Sequence, residues 1–230
     1  MPKSEIINWY EKMPKDLLKT PDNPNYELHR FKQYFRLCCV ASSGSGKTSW
    51  LLTLIHLFSK GKKGTFSTIT ILTRDKCEPL YEYLALQAPK IQIKEGLENL
   101  PPLKSFDKDE SHLVVFDDLV LAKDLSMVGE YYLRSRKCGV NCVFISQSYY
   151  KIPPIVRNNC NYMVLLKFGS TRAINMILSE HGLGVTKEQL IAMYQYATQE
   201  KFSPLILDLD EAPENRFRKG FLEILDPKDY

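Results

Sequence analysis

Apolar and polar positions fall in blocks along this chain, and the blocks come in two kinds. FRLCCVA (35–41), STITILT (67–73), HLVVFDD (112–118), NCVFISQ (141–147), NYMVLLKF (161–168) and SPLILDLD (203–210) are short apolar runs rich in β-branched and aromatic residues, the pattern of strands. Between them lie longer segments with helical spacing: TSWLLTLIHLFSK (48–60), then 78–87, 125–136, 171–181 and 186–198. Several of the strand-like runs are apolar at almost every position instead of alternating. A strand of that kind is buried on both faces, which predicts a parallel sheet covered by helices on both sides. Right-handed crossovers then give one doubly wound α/β domain.

The ends of the chain are less patterned. Residues 1–30 are polar and interrupted by Pro2, Pro14, Pro21 and Pro24, so they are read as an N-terminal arm with one short helix at 6–13, preceding a domain at 31–230. The segment 88–111 fits neither period and is read as a short hairpin or a surface insertion.

Composition narrows the setting. No apolar run reaches the roughly 18 residues that a membrane-spanning helix needs, and the first residues, MPKSEIINWYEK, lack a signal-peptide core, so an intracellular protein is expected. The six cysteines fit that compartment as reduced thiols. Cys38 and Cys39 would point to opposite faces of one strand, and Cys138 and Cys142 have no nearby His, so a structural zinc is not expected. The net charge of +4 permits an acidic polymer as partner without specifying one.

The candidate chemistry lies where strands end. ASSGSGKTS (41–49) sits between an apolar strand and an amphipathic helix, the context of a phosphate-binding Walker A loop. Ser43, Gly44, Ser45, Gly46, Lys47, Thr48 and Ser49 would surround the phosphates of ATP. The glycines let successive N–H groups face an anion, Lys47 reaches the β- and γ-phosphates, and the Thr48 hydroxyl ligates Mg²⁺. The usual pattern begins with Gly where this chain has Ala41; an extended Ala at a strand end is expected to serve equally.

HLVVFDD supplies the second site, a Walker B strand. Asp117 would hold Mg²⁺ and Asp118 would polarise the attacking water. An acidic residue directly after the metal-binding Asp marks the P-loop branch that activates water with a carboxylate, although most members carry Glu there. In that branch an additional strand separates the two Walker strands, and its polar tip senses the γ-phosphate; here that tip is Gln147. The helix before it ends in Arg134 and Arg136. Either these cations cap the helix, or one is an arginine finger reaching a neighbouring subunit's ATP, with Arg136 first, then Arg134, and Arg157 and Arg172 after them.

Taken with RSRKCGVNCVFISQSYYKIPPIVRNNCNYMVLLK (134–167), GSTRAINMIL (169–178) and NRFRKGFLEIL (215–225), these motifs resemble the FtsK–HerA superfamily of ring-forming DNA translocases. Within it they look most like the genome-packaging ATPases of large DNA viruses and virophages. The resemblance spans about residues 35–225. It implies a RecA-like fold with the additional strand, and ATP hydrolysis in which Lys47, Asp118, Gln147 and Arg136 are catalytic, with Thr48 and Asp117 on Mg²⁺. It also implies a homo-oligomeric ring around double-stranded DNA, contacts to the DNA backbone without regard to sequence, and a capsid or portal partner. The expected setting is the host cytoplasm or viral factory, with transient residence on the capsid. Lys60-Gly61-Lys62-Lys63-Gly64 reads as a solvated turn that could add to the backbone contacts. Two other readings of the same residues stay open: a nucleotide or small-molecule kinase, and a non-catalytic ATP-dependent switch or scaffold.

Overall fold

The computed structural model describes residues 6–14, 21–169 and 171–230. Parts of the expected arm (1–5 and 15–20), and Ser170 in the GSTRAINMIL run, lie outside the described residues. The chain enters through a one-turn helix α1 (Tyr26–His29), strand β1 (Arg36–Val40), α2 (Lys47–Phe58), β2 (Thr68–Thr73), α3 (Pro79–Gln87) and β3 (Gln92–Glu95). It continues through β4 (His112–Asp117), α4 (Ser126–Arg134), β5 (Val140–Ser146), α5 (Pro154–Arg157) and β6 (Tyr162–Leu165). Helices α6 (Thr171–Glu180) and α7 (Lys187–Ala197) follow, then β7 (Leu205–Asp208), α8 (Pro213–Arg216), β8 (Phe217–Lys219) and β9 (Glu223–Leu225).

The nine strands of the described residues form one sheet in the order β3-β2-β4-β5-β1-β6-β7-β8-β9. The run from β3 to β6 is parallel, and β7, β8 and β9 are added antiparallel. β5 pairs with β1 on one edge and β4 on the other, so a strand does stand between the two Walker strands. β1 is also the switch point: the chain leaves it towards β2 on one side and later returns to β6 on the other. Crevices at such points, beyond the carboxyl ends of the strands, are where open α/β sheets bind ligands.

The continuous apolar runs have the reason the sequence suggested. Successive residues of each central strand point into two separate cores. Cys38, Val114, Phe116, Cys142 and Phe144 face one core with Val128 and Tyr132 of α4 and Leu190 and Met193 of α7. Cys39, Leu113, Val115, Val143 and Ile145 face the other with Trp50, Leu51 and Leu54 of α2 and Tyr81 of α3. Each such fully buried large apolar side chain contributes roughly 1.5–3 kcal/mol relative to exposure. Cys38, Cys39 and Cys142 are buried free thiols, and burial pushes the Cys142 thiol up to about 12.

Two expectations are corrected. The segment 88–111 is neither hairpin nor insertion: it carries β3, a parallel edge strand on β2, followed by two short 3-10 turns. Its sequence, QIKE, is polar because both faces are partly open, so it lacks the apolar run that marks a central strand. The six strand-like runs also stop at SPLILDLD (203–210), whereas two further strands, β8 and β9, of three residues each, follow β7.

At 6–13 the helical stretch is a 3-10 turn, Trp9–Lys12. Near the sheet, the segment before β1 is tied to α2. The Asn25 amide donates to the carbonyls of Phe58 (3.1 Å) and Lys60 (3.0 Å), and buried His29 packs against the Phe58 ring at 3.9 Å between centroids.

Candidate active site

The phosphate loop grows out of β1. Its first residue, Ala41, is fully buried and continues the ladder by donating its N–H to Ser146 O at 3.1 Å. It is absent from the described residues of positive φ, so the Gly usual at this position is not sterically required here. Ser42 N–H donates to Lys167 O at 3.2 Å, which fastens the loop to the segment after β6. The turn is then made by Gly44 (φ 74°) and Gly46 (φ 91°), and Lys47 opens α2. The first N–H groups of a helix have no intrahelical acceptor and its N-terminus carries partial positive charge, so this end of α2 is suited to an anion.

Gly46 is required for a second reason. A Cβ there would stand 2.1 Å from Cδ1 of Phe202, an aromatic that itself has φ 69°.

Ser43, Gly44, Gly46, Lys47, Thr48 and Ser49 line a cleft of about 740 Å³ together with Asp117, Asp118 and Gln147. Ser45 lies beside it, in an adjoining hollow. All of the predicted P-loop, Walker B and sensor residues therefore meet at the carboxyl ends of β1, β4 and β5.

A regular strand would send Asp117 and Asp118 to opposite faces. Asp118 has φ 52°, in the left-handed region that Asp tolerates better than most residues, and this kink brings both carboxylates to the cleft. Its N–H is held by Ile145 O at 3.1 Å, and its Oδ2 accepts from Gln147 Nε2 at 2.9 Å. Asp117 is buried and accepts a hydrogen bond from Tyr81 Oη at 2.7 Å. Burial pushes its carboxyl up to about 6; the Tyr81 hydrogen bond pulls the other way, as does the Lys47 charge.

Among the groups that escaped the sequence reading, Arg74, Glu78 and Phe202 line the cleft, and Tyr81 reaches Asp117. Glu78, the N-cap of α3, accepts from the Thr48 hydroxyl at 3.1 Å, and Tyr81 from the same helix holds Asp117. Arg74 follows β2 directly and lines the cleft, as does Phe202, which precedes β7. Arg74 had a usable signal, since it follows an apolar strand at the end of the sheet where the P-loop lies. Glu78, Tyr81 and Phe202 are brought in by tertiary packing alone.

Thr48, Asp117 and Glu78 offer hard oxygen donors to one part of the cleft, which suits Mg²⁺. That ion binds through one or two carboxylates plus substrate phosphates and keeps several waters.

None of the four arginines singled out in the sequence, Arg134, Arg136, Arg157 and Arg172, lines this cleft. Arg136 lies in the turn Ser135–Cys138, which feeds β5 from its amino end, whereas Gln147 leaves β5 at the other. Seven residues of strand separate the two ends by roughly 23 Å, so Arg136 is remote from its own chain's cleft. The turn closes on Gly139 (φ 72°), where a Cβ would meet Glu110 O at 2.3 Å. Arg134 is exposed and paired with Glu130 on its own helix at 2.5 Å. Arg157 is buried, bound to Glu180 at 2.7 Å, and Arg172 sits over the Tyr150 ring. Lys60, Lys62 and Lys63 are exposed at the far end of α2, with Lys63 paired to Asp22.

A mostly parallel sheet, a strand inserted between the Walker strands and a P-loop facing paired carboxylates define a RecA-like P-loop NTPase fold of the additional-strand type. Residues 26–208 match the family described as Poxvirus A32 protein, and the chain belongs to that family, in agreement with the resemblance carried by its motifs. It is 23% identical over 192 residues to the DNA packaging protein OPG160 of Monkeypox virus, covering 79% of this chain and 64% of that one. The OPG160 of Vaccinia virus (strain Copenhagen) is likewise 23% identical, over 79% of this chain and 71% of its own. This chain thus spans less than two thirds of the Monkeypox virus relative. Among solved structures, the genome packaging NTPase B204 from Sulfolobus turreted icosahedral virus 2, in complex with ATP-gammaS, has the same fold. It superposes with a TM-score of 0.58 at 12% identity, covering 84% of this chain and all of that one.

Proposed function

We propose that this chain is an ATP-driven double-stranded DNA translocase that packages a viral genome into a capsid. Hydrolysis is carried by one observation above all: Asp118 is turned into the cleft beside the P-loop and held there by Gln147, the tip of the inserted strand. In this reading a water attacks the γ-phosphorus of ATP and gives its proton to the Asp118 carboxylate. A new P–O bond forms as the bond to the β–γ bridging oxygen breaks, and ADP leaves. Gln147 orients Asp118. Lys47 and the first N–H groups of α2 offset the charge that collects on the β- and γ-phosphate oxygens. Thr48 and Asp117 would hold Mg²⁺, whose charge lowers the repulsion between the phosphates and an incoming nucleophile.

The likeness to the DNA packaging protein OPG160 of Monkeypox virus and of Vaccinia virus supports DNA packaging as the work that hydrolysis drives. In the working form, a ring of identical chains surrounds the DNA and Arg136 of one subunit serves its neighbour's ATP. A capsid or portal component receives the DNA, and the setting is the host cytoplasm or viral factory. No described helix is long and apolar enough to cross a membrane. The boundary proposed between an arm at 1–30 and the ATPase domain at 31–230 belongs to the same reading. The test is ATPase activity with and without duplex DNA of unrelated sequences, repeated as salt rises. Expected are stimulation by any duplex and affinity that falls steeply with salt. A flat salt response, selection of one short sequence, or transfer of phosphate to an acceptor other than water would overturn it.

A further inference from the structure

The cleft has a direction. Asp117 ends β4 and Gln147 follows β5, so the groups expected around the terminal phosphate all lie on one side of β1. Phe202 precedes β7, on the other side of β1 beyond β6. A nucleotide with its phosphates along the P-loop and its γ-phosphate at Asp118 must send its ribose and base towards β6 and β7. There the wall is an aromatic ring. Phe202 is 44% exposed, yet its edge lies so close to Gly46 that a Cβ at 46 would stand 2.1 Å from Cδ1 and force the ring to shift. Behind it lies the adjoining hollow of about 250 Å³, lined by Ser45, Lys167, Thr198 and Lys201 among others.

The backbone at Phe202 is also out of the ordinary. A bulky aromatic at φ 69° is strained, and such strain persists where the surroundings hold the residue in place, often at ligand sites. The Lys201 ammonium stands 4.9 Å from the ring centroid, so the ring is within reach of groups outside the core.

We infer that Phe202 is the platform on which the nucleotide's base stacks, with the adjoining hollow receiving the base and Lys201 beside it. This inference rests on the reading of the cleft as an ATP site. Stacking recognises a flat heterocycle and not a phosphate, so it separates ATP from inorganic tripolyphosphate.

The experiment measures the affinity of ATP and of tripolyphosphate, both with Mg²⁺, for the wild type, Phe202→Asn and Phe202→Tyr. Asn removes the ring while tolerating the left-handed backbone, which guards against loss of the fold; Tyr keeps a stacking face. Expected for Phe202→Asn is a loss of ATP affinity of roughly 5- to 150-fold, the range of base–aromatic stacking, with tripolyphosphate affinity unchanged. Phe202→Tyr should restore ATP binding. An equal loss for both ligands would overturn the inference, because Phe202 would then act only by shaping the P-loop. No loss for either would overturn it as well. If the wild type bound neither ligand, the ATP site itself would fail, and this inference with it.

Discussion

Gln147 Nε2 donates to Asp118 Oδ2 at 2.9 Å, joining the tip of the inserted strand to the end of the Walker B strand. One oxygen of the proposed base is thereby occupied and its orientation fixed. A change at the γ-phosphate that moved Asp118 would be felt directly by β5.

Asp118→Asn should keep nucleotide binding while kcat falls about 10²–10⁴-fold, the range for loss of a general base. Asn tolerates the left-handed backbone, so the kink should survive. Gln147→Ala should lower kcat by a smaller factor at unchanged nucleotide affinity. Calorimetric titration with a non-hydrolysable analogue beside steady-state turnover checks both. An Asp118→Asn enzyme at wild-type speed would remove the assignment of the base.

Asp117→Asn and Lys47→Ala should separate by their response to metal. Loss of Asp117 should weaken nucleotide binding in Mg²⁺ and leave binding in EDTA near the wild-type level. Loss of the Lys47 ammonium should weaken binding in both buffers and abolish turnover. Matching profiles for the two variants would show that the roles are not divided this way.

Arg136 stands at the amino end of β5, away from its own cleft, so a catalytic role requires a neighbour. Activity should then rise faster than linearly with protein concentration until assembly is complete. Arg136→Ala should bind ATP normally and turn over slowly. Mixed with Lys47→Ala subunits it should regain activity, because some interfaces then pair an intact arginine with an intact P-loop. A mixing titration that restores no turnover, with both variants assembled, would retire the trans role.

His29 predicts an acid-sensitive fold. Burial, aided by the Arg218 charge, depresses its imidazole from 6.5 to about 4. Above 6.5 it is neutral folded or unfolded and contributes no pH dependence. Between 6.5 and 4 the unfolded chain takes up a proton that the fold refuses, so stability falls with pH, by at most about 1.4 kcal/mol per unit. His29 Nδ1 accepts from Phe31 N–H at 3.0 Å, and His29→Asn can keep an acceptor there without titrating. Denaturant unfolding at a series of pH values should give that variant lower overall stability and a shallower acid slope.

What the sequence disclosed follows from burial. The strands that are enclosed on both faces, such as HLVVFD in β4, print themselves as apolar runs, and the P-loop prints its glycines because the backbone there needs them. β3 is an edge strand with polar QIKE, and β8 and β9 span three residues each, too short for a period to show. The site divides in the same way. Local motifs disclosed Lys47, Thr48, Asp117 and Asp118, whereas Glu78 and Phe202 reach the cleft from separate parts of the chain through contacts that no spacing encodes.

The double pairing of β5 also decides where the cleft can give way. A strand hydrogen-bonded along both edges does not slide without breaking two ladders, and all seven of its residues are buried. The P-loop root, the carboxylates and Gln147 therefore behave as one stiff block, displaced together or not at all. Compliance is left to what surrounds the block: Arg74 is exposed, and Glu78 is held to Thr48 by a single hydrogen bond. Closure around a nucleotide is thus a matter for the rim, moving against an anvil that stays still.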